Sequence, residues 1–232
     1  MSLYFWIIAL SFAGPFFLSF DKKVHYFKKW KYLIPSILPV AIAFVLWDDF
    51  FTREGIWGFT PEHLQGIYLS KLPIEEVLFF FVIPYNCVFI YEVLQAYFPN
   101  VRLEKITKAF AFYFTISGLV LTTWFLDNWY TSVACGITAM LTIGFYFIYK
   151  VKWFQWYAFA YIVALIPFLI VNGILTGIAT ETPVVWYNEN HIIGLRIITI
   201  PFEDLYYNFA LFLPIVALYE FFKSRFGKTH RT

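Results

Sequence analysis

Charged residues and cysteines are both scarce in this sequence. Lysine, arginine, aspartate and glutamate make up 14% of the 232 residues, whereas about 25% is usual for a soluble domain. Hydrophobic residues account for 61% and aromatic residues for 24%. This composition excludes an ordinary soluble domain and predicts a membrane protein. The two cysteines, Cys87 and Cys135, both lie in apolar runs, so no disulfide framework and no cysteine metal site is expected.

Several cofactor motifs are also absent. The sequence has no Gly-x-Gly-x-x-Gly after a strand, no Cys-x-x-Cys, no His-Glu-x-x-His and no phosphate-binding loop, so we predict no cofactor and no metal. Asp48 and Asp49 resemble half of an aspartate-rich magnesium motif, but Thr52 and Arg53 follow where a third aspartate is needed. The last apolar run has a lysine only at its end, Lys223, which excludes a retinal Schiff base in its middle.

The sequence contains seven apolar runs of about membrane-spanning length. These runs are Leu3–Phe20, Leu33–Phe51, Ile74–Tyr97, Thr107–Leu126, Thr131–Tyr149, Phe154–Leu175 and Phe202–Phe222. We therefore predict an all-α integral membrane fold with seven transmembrane helices. The first run has no basic residue before it and no small-residue cleavage site after it, which predicts a retained helix instead of a signal peptide.

The basic residues alternate along the connections between these runs. Of the 17 lysines and arginines, 14 follow runs 1, 3, 5 and 7, which places them on one side of the membrane; Arg53, Lys71 and Arg196 lie on the other side. Lysine and arginine are enriched in cytoplasmic connections. The pattern therefore predicts an N-terminus outside the cell and a cytoplasmic C-terminus.

One motif occurs twice, and its two copies are 128 residues apart. Each copy consists of His-x-x-Gly, followed by Pro-x-Glu and a second acidic residue at the start of an apolar run. The matched pairs are His63 and His191, Gly66 and Gly194, Pro73 and Pro201, Glu75 and Glu203, and Glu76 and Asp204. The motif therefore indicates an internal duplication.

The predicted organisation is a single membrane domain built from two parallel three-helix repeats. Residues 1–97 form the first repeat, residues 98–129 the connector with helix 4, and residues 130–232 the second repeat with a basic tail. The repeats point in the same direction, so they can be related by an axis along the membrane normal. The long connections Thr52–Leu72 and Thr176–Ile200 are rich in aromatic residues, and we expect them to fold back onto the bundle.

Each copy of the motif places two carboxylates at the start of a membrane helix. One explanation is structural, because proline and acidic residues are favoured in the first turn of a helix. The repetition favours a single functional site built from both halves, since carboxylates within a membrane bundle are costly. Glu75, Glu76, Glu203 and Asp204 are therefore candidate catalytic residues. In a dry cluster at least one would keep its proton, which provides both a general acid and a general base.

Four further polar residues are candidates for a supporting role. His63 and His191 lie in the long connections, where they either orient a carboxylate or relay protons, or are ordinary interfacial residues. Asp48 and Asn172 lie near the ends of runs 2 and 6 on the same side of the membrane, either at the rim of the site or as polar helix ends.

A second pair of glutamates lies too far along the helices to join this site. Glu92 and Glu220 follow Glu75 and Glu203 by 17 residues, which is roughly 25 Å of helix. We expect them to pair with nearby lysines at the cytoplasmic interface.

Seven segments together resemble the membrane-integral lycopene cyclase family. They are Phe20–Lys22, Trp47–Asp48, Gly55–Phe59, Leu72–Phe80, Asn172–Thr176, Val185–Tyr187 and Ile200–Asp204. The family comprises heterodimeric bacterial cyclases, fused archaeal chains and the cyclase part of a bifunctional fungal enzyme. The resemblance covers almost the whole chain, which looks like the fused form, and it departs from the first motif copy at Asp204.

The resemblance implies that the chain forms β-ionone rings on the ψ ends of lycopene, giving γ- and β-carotene. A protonated carboxyl would start a redox-neutral carbocation cyclisation, and a carboxylate would end it. The implied partners are lycopene or a related linear carotenoid, the lipid bilayer and other carotenoid enzymes, with no nucleic acid. The implied location is a bacterial or archaeal cell membrane. A proton-coupled transporter, an ε-type cyclase and a cyclase of another carotenoid are the alternatives.

Overall fold

The fold is mostly helical, with 72% of the described residues in helices. We describe it from a computed structural model that covers residues 2–227; Lys228 and Arg231 of the predicted basic tail lie outside the described residues. The seven α-helices of the described part are α1 (Leu3–Leu18), α2 (Trp30–Arg53), α3 (Ile74–Tyr97), α4 (Glu104–Trp124), α5 (Trp129–Thr142), α6 (Phe154–Leu175) and α7 (Glu203–Phe226).

Six of the helical segments in residues 2–227 are long and apolar enough to cross a membrane. The exception is α1, because its 16 residues rise only about 24 Å, whereas the hydrocarbon core is about 30 Å thick. This helix ends at Leu18, before the predicted end, and the Ser19 hydroxyl donates to the Pro15 carbonyl at 2.6 Å. The prediction of spanning helices therefore holds for six of the seven, and the crossing of α1 stays a prediction.

The fifth apolar run does not form one uniform helix. The α-helix ends at Thr142, and the segment Ile143–Ile148 continues as a π-helix. There the Tyr149 N–H donates to the carbonyl of Gly144, five residues earlier, at 2.8 Å. The prediction of a membrane-length helix over Thr131–Tyr149 is confirmed in length and apolar character by the continuous helical span Trp129–Ile148, but its last third has a π-helical hydrogen-bond pattern, which apolar periodicity does not distinguish.

Short strands lie in the two long connections. They are β1 (Trp57–Phe59), β2 (Tyr68–Leu69), β3 (Leu72–Pro73), β4 (Val185–Tyr187), β5 (Arg196–Ile197) and β6 (Ile200–Pro201). β2 and β3 form a hairpin directly before α3, and β5 and β6 form the matching hairpin before α7. β1 pairs with β4 in antiparallel orientation, so that Gly58 lies opposite Trp186. As predicted, the two connections fold back onto the helices.

The backbone of each hairpin explains part of the repeated motif. Gly66 and Gly194 have φ values of +81° and +77°, a region that glycine adopts without steric cost. Ser70 and Ile198, at the two hairpin turns, have φ values of +60° and +59°. The glycine of His-x-x-Gly therefore sets the same chain reversal before each membrane helix.

Contacts between the two halves of the chain come in reciprocal pairs. The Thr60 N–H donates to the Val184 carbonyl, and the Asn188 N–H, 128 residues after Thr60, donates to the Ile56 carbonyl; both distances are 2.9 Å. The helices follow the same rule, since α2 packs against α7 and α3 packs against α6. Residues that are 128 positions apart thus make equivalent contacts.

Candidate functional site

The acidic residues of both motif copies lie in the first turns of α3 and α7. Glu75 and Glu76 begin α3, and Glu203 and Asp204 begin α7. All four carboxylates are buried, with exposures between 0% and 8%. A helix N-terminus stabilises negative charge, so the local fold provides part of the compensation for burying these groups.

The first carboxylate of each copy holds the preceding loop against the helix. The Glu75 Oε1 atom accepts hydrogen bonds from the Gln65 N–H and the Ser2 hydroxyl, both at 2.7 Å. In the second copy, the Glu203 Oε1 atom accepts from the Ile193 N–H at 2.7 Å and from the Thr131 hydroxyl at 2.5 Å. These two carboxylates therefore have matching surroundings in the two halves.

The second carboxylate of each copy lines a cavity between the two halves. Glu76 and Asp204 share this cavity with Asp48 at the end of α2 and Asn172 at the end of α6. Its volume is about 50 Å³, which is enough for a few water molecules. The single pocket expected from the sequence thus contains one carboxylate of each motif, and Glu75 and Glu203 do not line it. We call this space, lined by Glu76, Asp204 and Asp48, the carboxylate cavity.

Glu76 and Asp204 differ in the hydrogen bonds that they accept. The Glu76 Oε2 atom accepts one, from the Tyr4 hydroxyl at 2.5 Å. Asp204 accepts three, and its donors are the hydroxyl of Tyr130 at 2.5 Å, the amide of Asn172 at 2.5 Å and the hydroxyl of Tyr187 at 3.0 Å. Hydrogen bonds to a carboxylate favour its charged form, so the surroundings of Asp204 suit an anion better.

Asp48 is a third buried carboxyl group in the cavity and has no acidic counterpart in the other half. Its side chain is 3% exposed in the structure, and its Oδ2 atom has no hydrogen-bond partner among residues 2–227. The residue 128 positions later is Thr176, while Asn172 is matched by Phe44. The two polar residues that complete the cavity therefore break the equivalence of the halves.

Neither histidine lines the carboxylate cavity. The His63 Nε2 atom lies 3.0 Å from the Thr182 carbonyl oxygen and 3.1 Å from its hydroxyl. His191 packs near Trp129, with 6.3 Å between the ring centroids, and its Nδ1 atom has no partner in the described part of the chain. The structure places both histidines in the loops, and their predicted role in orienting carboxylates or relaying protons stays a prediction.

Aromatic side chains form most of the cavity wall; Trp57, Phe59, Phe79 and Tyr187 lie in segments that carry the family resemblance, but none of the wall aromatics was predicted from the sequence as a site residue. The lining includes Tyr4, Trp57, Phe59, Phe79, Tyr130, Phe168, Tyr187 and Tyr207. Trp57 lies edge-on to Tyr130 with a centroid distance of 5.0 Å, and Tyr130 stacks on Tyr187 at 5.8 Å. Burial and the neighbouring Asp204 raise the pKa of the Tyr187 hydroxyl well above its usual value, which keeps this hydroxyl a hydrogen-bond donor.

The second pair of glutamates lies at the opposite end of the helices and contacts lysines, as predicted. Glu92 forms ion pairs with Lys29 and with Lys223, the latter at 2.8 Å. Lys223 also lies 3.2 Å from Glu220. The Tyr91 hydroxyl donates to Glu220 at 3.0 Å, and the equivalent Tyr219 hydroxyl donates to Glu92 at 2.7 Å. This network joins the two halves far from the carboxylate cavity.

No group of three or more histidine, cysteine, aspartate or glutamate side chains within residues 2–227 is arranged to hold a metal ion. The absence of a metal and of a cofactor remains a prediction from the sequence.

The family model described as lycopene cyclase matches residues 1–94 and 127–222 of the chain. The chain belongs to the lycopene cyclase family. The match covers both motif copies, and the segment between its two blocks contains α4. The family assignment therefore rests on the same two halves that build the carboxylate cavity.

Curated relatives in fungi match shorter stretches. The bifunctional lycopene cyclase/phytoene synthase of Pyrenophora tritici-repentis is 31% identical over 82 residues, which are 35% of this chain and 12% of that protein. The protein of the same description from Phaeosphaeria nodorum is 36% identical over 60 residues, 25% of this chain and 10% of that protein. The matches thus span only about a tenth of the relatives' length. These relatives are fungal and do not support the predicted bacterial or archaeal origin. No solved structure matches the chain.

Proposed function

We propose that the chain is an enzyme that cyclises the ψ ends of lycopene to β-ionone rings. Family membership supports the substrate class, and the carboxylate cavity supports proton chemistry. A carboxyl group protonates the terminal double bond, the neighbouring double bond attacks the resulting tertiary cation, and a six-membered ring closes. A carboxylate then removes a proton to leave the ring double bond. The net change is an isomerisation, so the reaction consumes no oxidant or reductant.

The observation that carries the proposal is the meeting of three buried carboxyl groups in one aromatic cavity. Asp48, Glu76 and Asp204 all line it, and none of the three forms an ion pair with a lysine or arginine among the described residues. Burying several unpaired negative charges together is very costly, so the cluster is expected to retain at least one proton. A cavity of this kind holds an acid and a base side by side.

The hydrogen bonds suggest which group has which role. Asp204 accepts three hydrogen bonds, and we assign it as the carboxylate that removes the final proton. Glu76 accepts one, and Asp48 has an oxygen without a partner in the described part. We assign the donated proton to the pair formed by Asp48 and Glu76, which titrate as a unit when they lie together.

The aromatic wall suits the cationic intermediate. Aromatic rings attract a cation through their faces, and Trp57, Tyr130 and Tyr207 all line the cavity. The strands β1 and β4 cover the end of the bundle that contains the carboxylate cavity, since Trp57 is 4% exposed and Val185 is 9% exposed. Exclusion of water would protect the cation from quenching.

For the membrane arrangement we propose seven crossings with the N-terminus outside and the C-terminus in the cytoplasm. Residues 1–97 and 130–232 form two parallel repeats, and residues 98–129 form the connector. The pairing of β1 with β4 and the reciprocal hydrogen bonds from Tyr91 to Glu220 and from Tyr219 to Glu92 support an axis along the membrane normal. The chain then works in a lipid bilayer with a linear carotenoid as its substrate, no cofactor, and other carotenoid enzymes as candidate partners.

Expression of the chain in a bacterium that makes lycopene tests this proposal. We expect red lycopene to be converted to monocyclic γ-carotene and bicyclic β-carotene, identified by chromatography and mass. Products with ε rings, or cyclisation of another carotenoid only, would replace the β assignment. Unchanged pigment from protein that has inserted into the membrane would contradict the proposal and favour the proton-coupled transporter.

A further inference from the structure

A second cavity lies between α1, α3 and α6, beside the carboxylate cavity. Its volume is about 230 Å³. Its wall is mainly apolar and includes Pro15, Ile83, Ile90, Phe168, Ile170 and Val171. We call this space the lateral groove.

The lateral groove and the carboxylate cavity share the Phe168 side chain as a common wall. Glu76 stands in the first turn of α3, and Ile90 lies 14 residues further along the same helix, a rise of about 21 Å. The lateral groove therefore extends along α3, away from the carboxylates, while Phe168 lines both spaces. A long apolar molecule can lie in the groove with one end at the carboxylate cavity.

The wall on the α1 side is held in place by a polar contact. The Asn86 amide donates to the Ser11 carbonyl at 3.0 Å, and both residues line the lateral groove. This bond fixes α1 against α3. Because the 16 residues of α1 rise only about 24 Å, this wall of the groove is short, which favours lateral access from the lipid.

The lateral groove has no open equivalent in the second half. Ser11, Ile83 and Cys87 line it, and the residues 128 positions later are Ala139, Leu211 and Ile215. These three residues are buried, with exposures of 0%, 2% and 0%. The position that matches Phe168 is Val40, which lacks the separating ring. The lateral groove is therefore not duplicated in the second half; a further apolar groove of about 360 Å³ lies between α1, α2 and α3, but it shares no lining residue with the carboxylate cavity.

We propose that the lateral groove binds the linear polyene chain of the substrate, while its ψ end passes Phe168 to reach the carboxylates. This inference rests on the proposed cyclase function. The groove selects a long apolar chain, a property that a polyene shares with a lipid acyl chain. The polyene is favoured because Phe168 lines both the groove and the carboxylate cavity.

Blocking the groove tests the inference by kinetics. Ile170 lines the groove and is 61% exposed, whereas Ile42, its counterpart on α2, is 53% exposed and lines no cavity described here. Ile170→Trp and the matched control Ile42→Trp are compared with the unchanged chain in lipid vesicles. Two substrates are used: lycopene, and an acyclic isoprenoid with the same end group on a chain too short to reach Ile170.

We expect Ile170→Trp to raise the KM for lycopene by about tenfold, a typical scale for losing part of a binding surface, and to leave the short substrate unaffected. Ile42→Trp should behave like the unchanged chain with both substrates. Ser11→Trp, on the opposite wall, should raise the KM for lycopene in the same way, and it replaces Ile170→Trp if Ile170→Trp inserts poorly into the membrane. Equal behaviour of Ile170→Trp, Ser11→Trp and Ile42→Trp would overturn the inference.

A binding measurement separates this inference from the proposed function. In the Glu76→Gln background, where turnover is expected to be lost, lycopene bound in the chiral groove should give an induced visible circular dichroism signal. The signal should persist with Ile42→Trp, and with Ile170→Trp it should require about tenfold more lycopene. If the signal depends on Ile170 but the unchanged chain does not cyclise lycopene, the cyclase proposal is contradicted and the groove inference stands. The same weak signal in all variants would mean that only lipid acyl chains fill the groove, which overturns the inference.

Discussion

The two adjacent carboxylates of each motif have different neighbours. Glu75 accepts a backbone N–H and a hydroxyl from the loop and the N-terminus, whereas Glu76 faces the cavity and accepts a tyrosine hydroxyl. The same division separates Glu203 from Asp204. We therefore propose that Glu76 and Asp204 exchange protons with the substrate, and that Glu75 and Glu203 position the loops.

Neutral isosteres at these positions should separate the two roles. Glu76→Gln and Asp204→Asn keep side-chain size but remove proton exchange, so each should lower cyclisation by about a hundredfold or more, the scale of general acid–base catalysis. Glu75→Gln and Glu203→Gln retain an acceptor oxygen for the loop N–H and should cost much less. Pigment conversion per inserted protein measures the effect. Larger losses at Glu75 and Glu203 than at Glu76 and Asp204 would reverse the assignment.

Asp48 and Asp49 provide a second residue-level test with a built-in control. Asp48 faces the carboxylate cavity, while Asp49 accepts from the Arg53 side chain at 2.7 Å and from the Lys71 N–H at 3.0 Å. Asp48→Asn should lower the cyclisation rate at least tenfold if the residue belongs to the acid pair. Asp49→Asn should change activity little, because it weakens only a surface contact. Equal rates for the two variants would remove Asp48 from the acid pair.

At the scale of elements, the strand pair β1–β4 is the tightest contact between the two long connections. A Cβ atom at Gly58 would lie 2.3 Å from the ring of Trp186, so only glycine fits while that ring keeps its place. Gly14 in α1 has no such neighbour within 4 Å. A comparison of substitutions at Gly58 and Gly14 therefore separates the effect of close packing from the effect of backbone flexibility.

Gly58→Ala should destabilise the closed end of the bundle. We expect a loss of about 1–3 kcal/mol, typical of overpacking, with a lower midpoint of thermal unfolding and reduced cyclisation. Gly14→Ala should be neutral or slightly stabilising, because glycine inside a helix costs about 0.5–1 kcal/mol relative to alanine. Thermal unfolding of the purified proteins in detergent measures both. An unchanged midpoint for Gly58→Ala would show that Trp186 moves aside freely.

The helices and the motif positions could be predicted from sequence because they depend on local pattern. Apolar runs located α1 to α7 within a few residues, and the repeated spacing located the starts of α3 and α7. The predicted helices were too short where polar residues extend the helix. α4 begins at Glu104 instead of Thr107, and α7 continues to Phe226 instead of ending at Phe222. Hydropathy detects the apolar part of a helix only.

The composition of the site was less predictable because it depends on contacts between distant segments. Which of Glu75 and Glu76 faces the cavity is set by how the loop meets the helix. Tyr4, Tyr130 and Tyr187 come from three separate segments of a chain that is 24% aromatic, so no local pattern distinguishes them from lipid-facing or packing residues. The candidates Asp48 and Asn172 do line the cavity, since each ends a helix at the same side as the motif.

For the whole molecule, the one carboxylate cavity found among residues 2–227 means that, under the proposed cyclase function, the two ends of lycopene would react in separate binding events. The first product must leave and return in the opposite direction before its second end can react. A time course with purified protein in lipid should therefore show γ-carotene rising before β-carotene, and added unlabelled γ-carotene should dilute labelled β-carotene. Formation of β-carotene without any free γ-carotene would contradict this order.

The reciprocity of the contacts between the halves also bears on the history of the protein. Gly58 and Trp186 occupy equivalent positions and lie opposite each other in β1–β4, as residues do on the axis of a symmetric dimer. Such self-complementary interfaces are those that two identical chains form. The arrangement fits descent from a half-length ancestor that assembled as a pair, was duplicated, and was fused through α4. In such a descent, fusion would have freed the two copies to diverge, so that Asp48 and Asn172 could each arise on one side only.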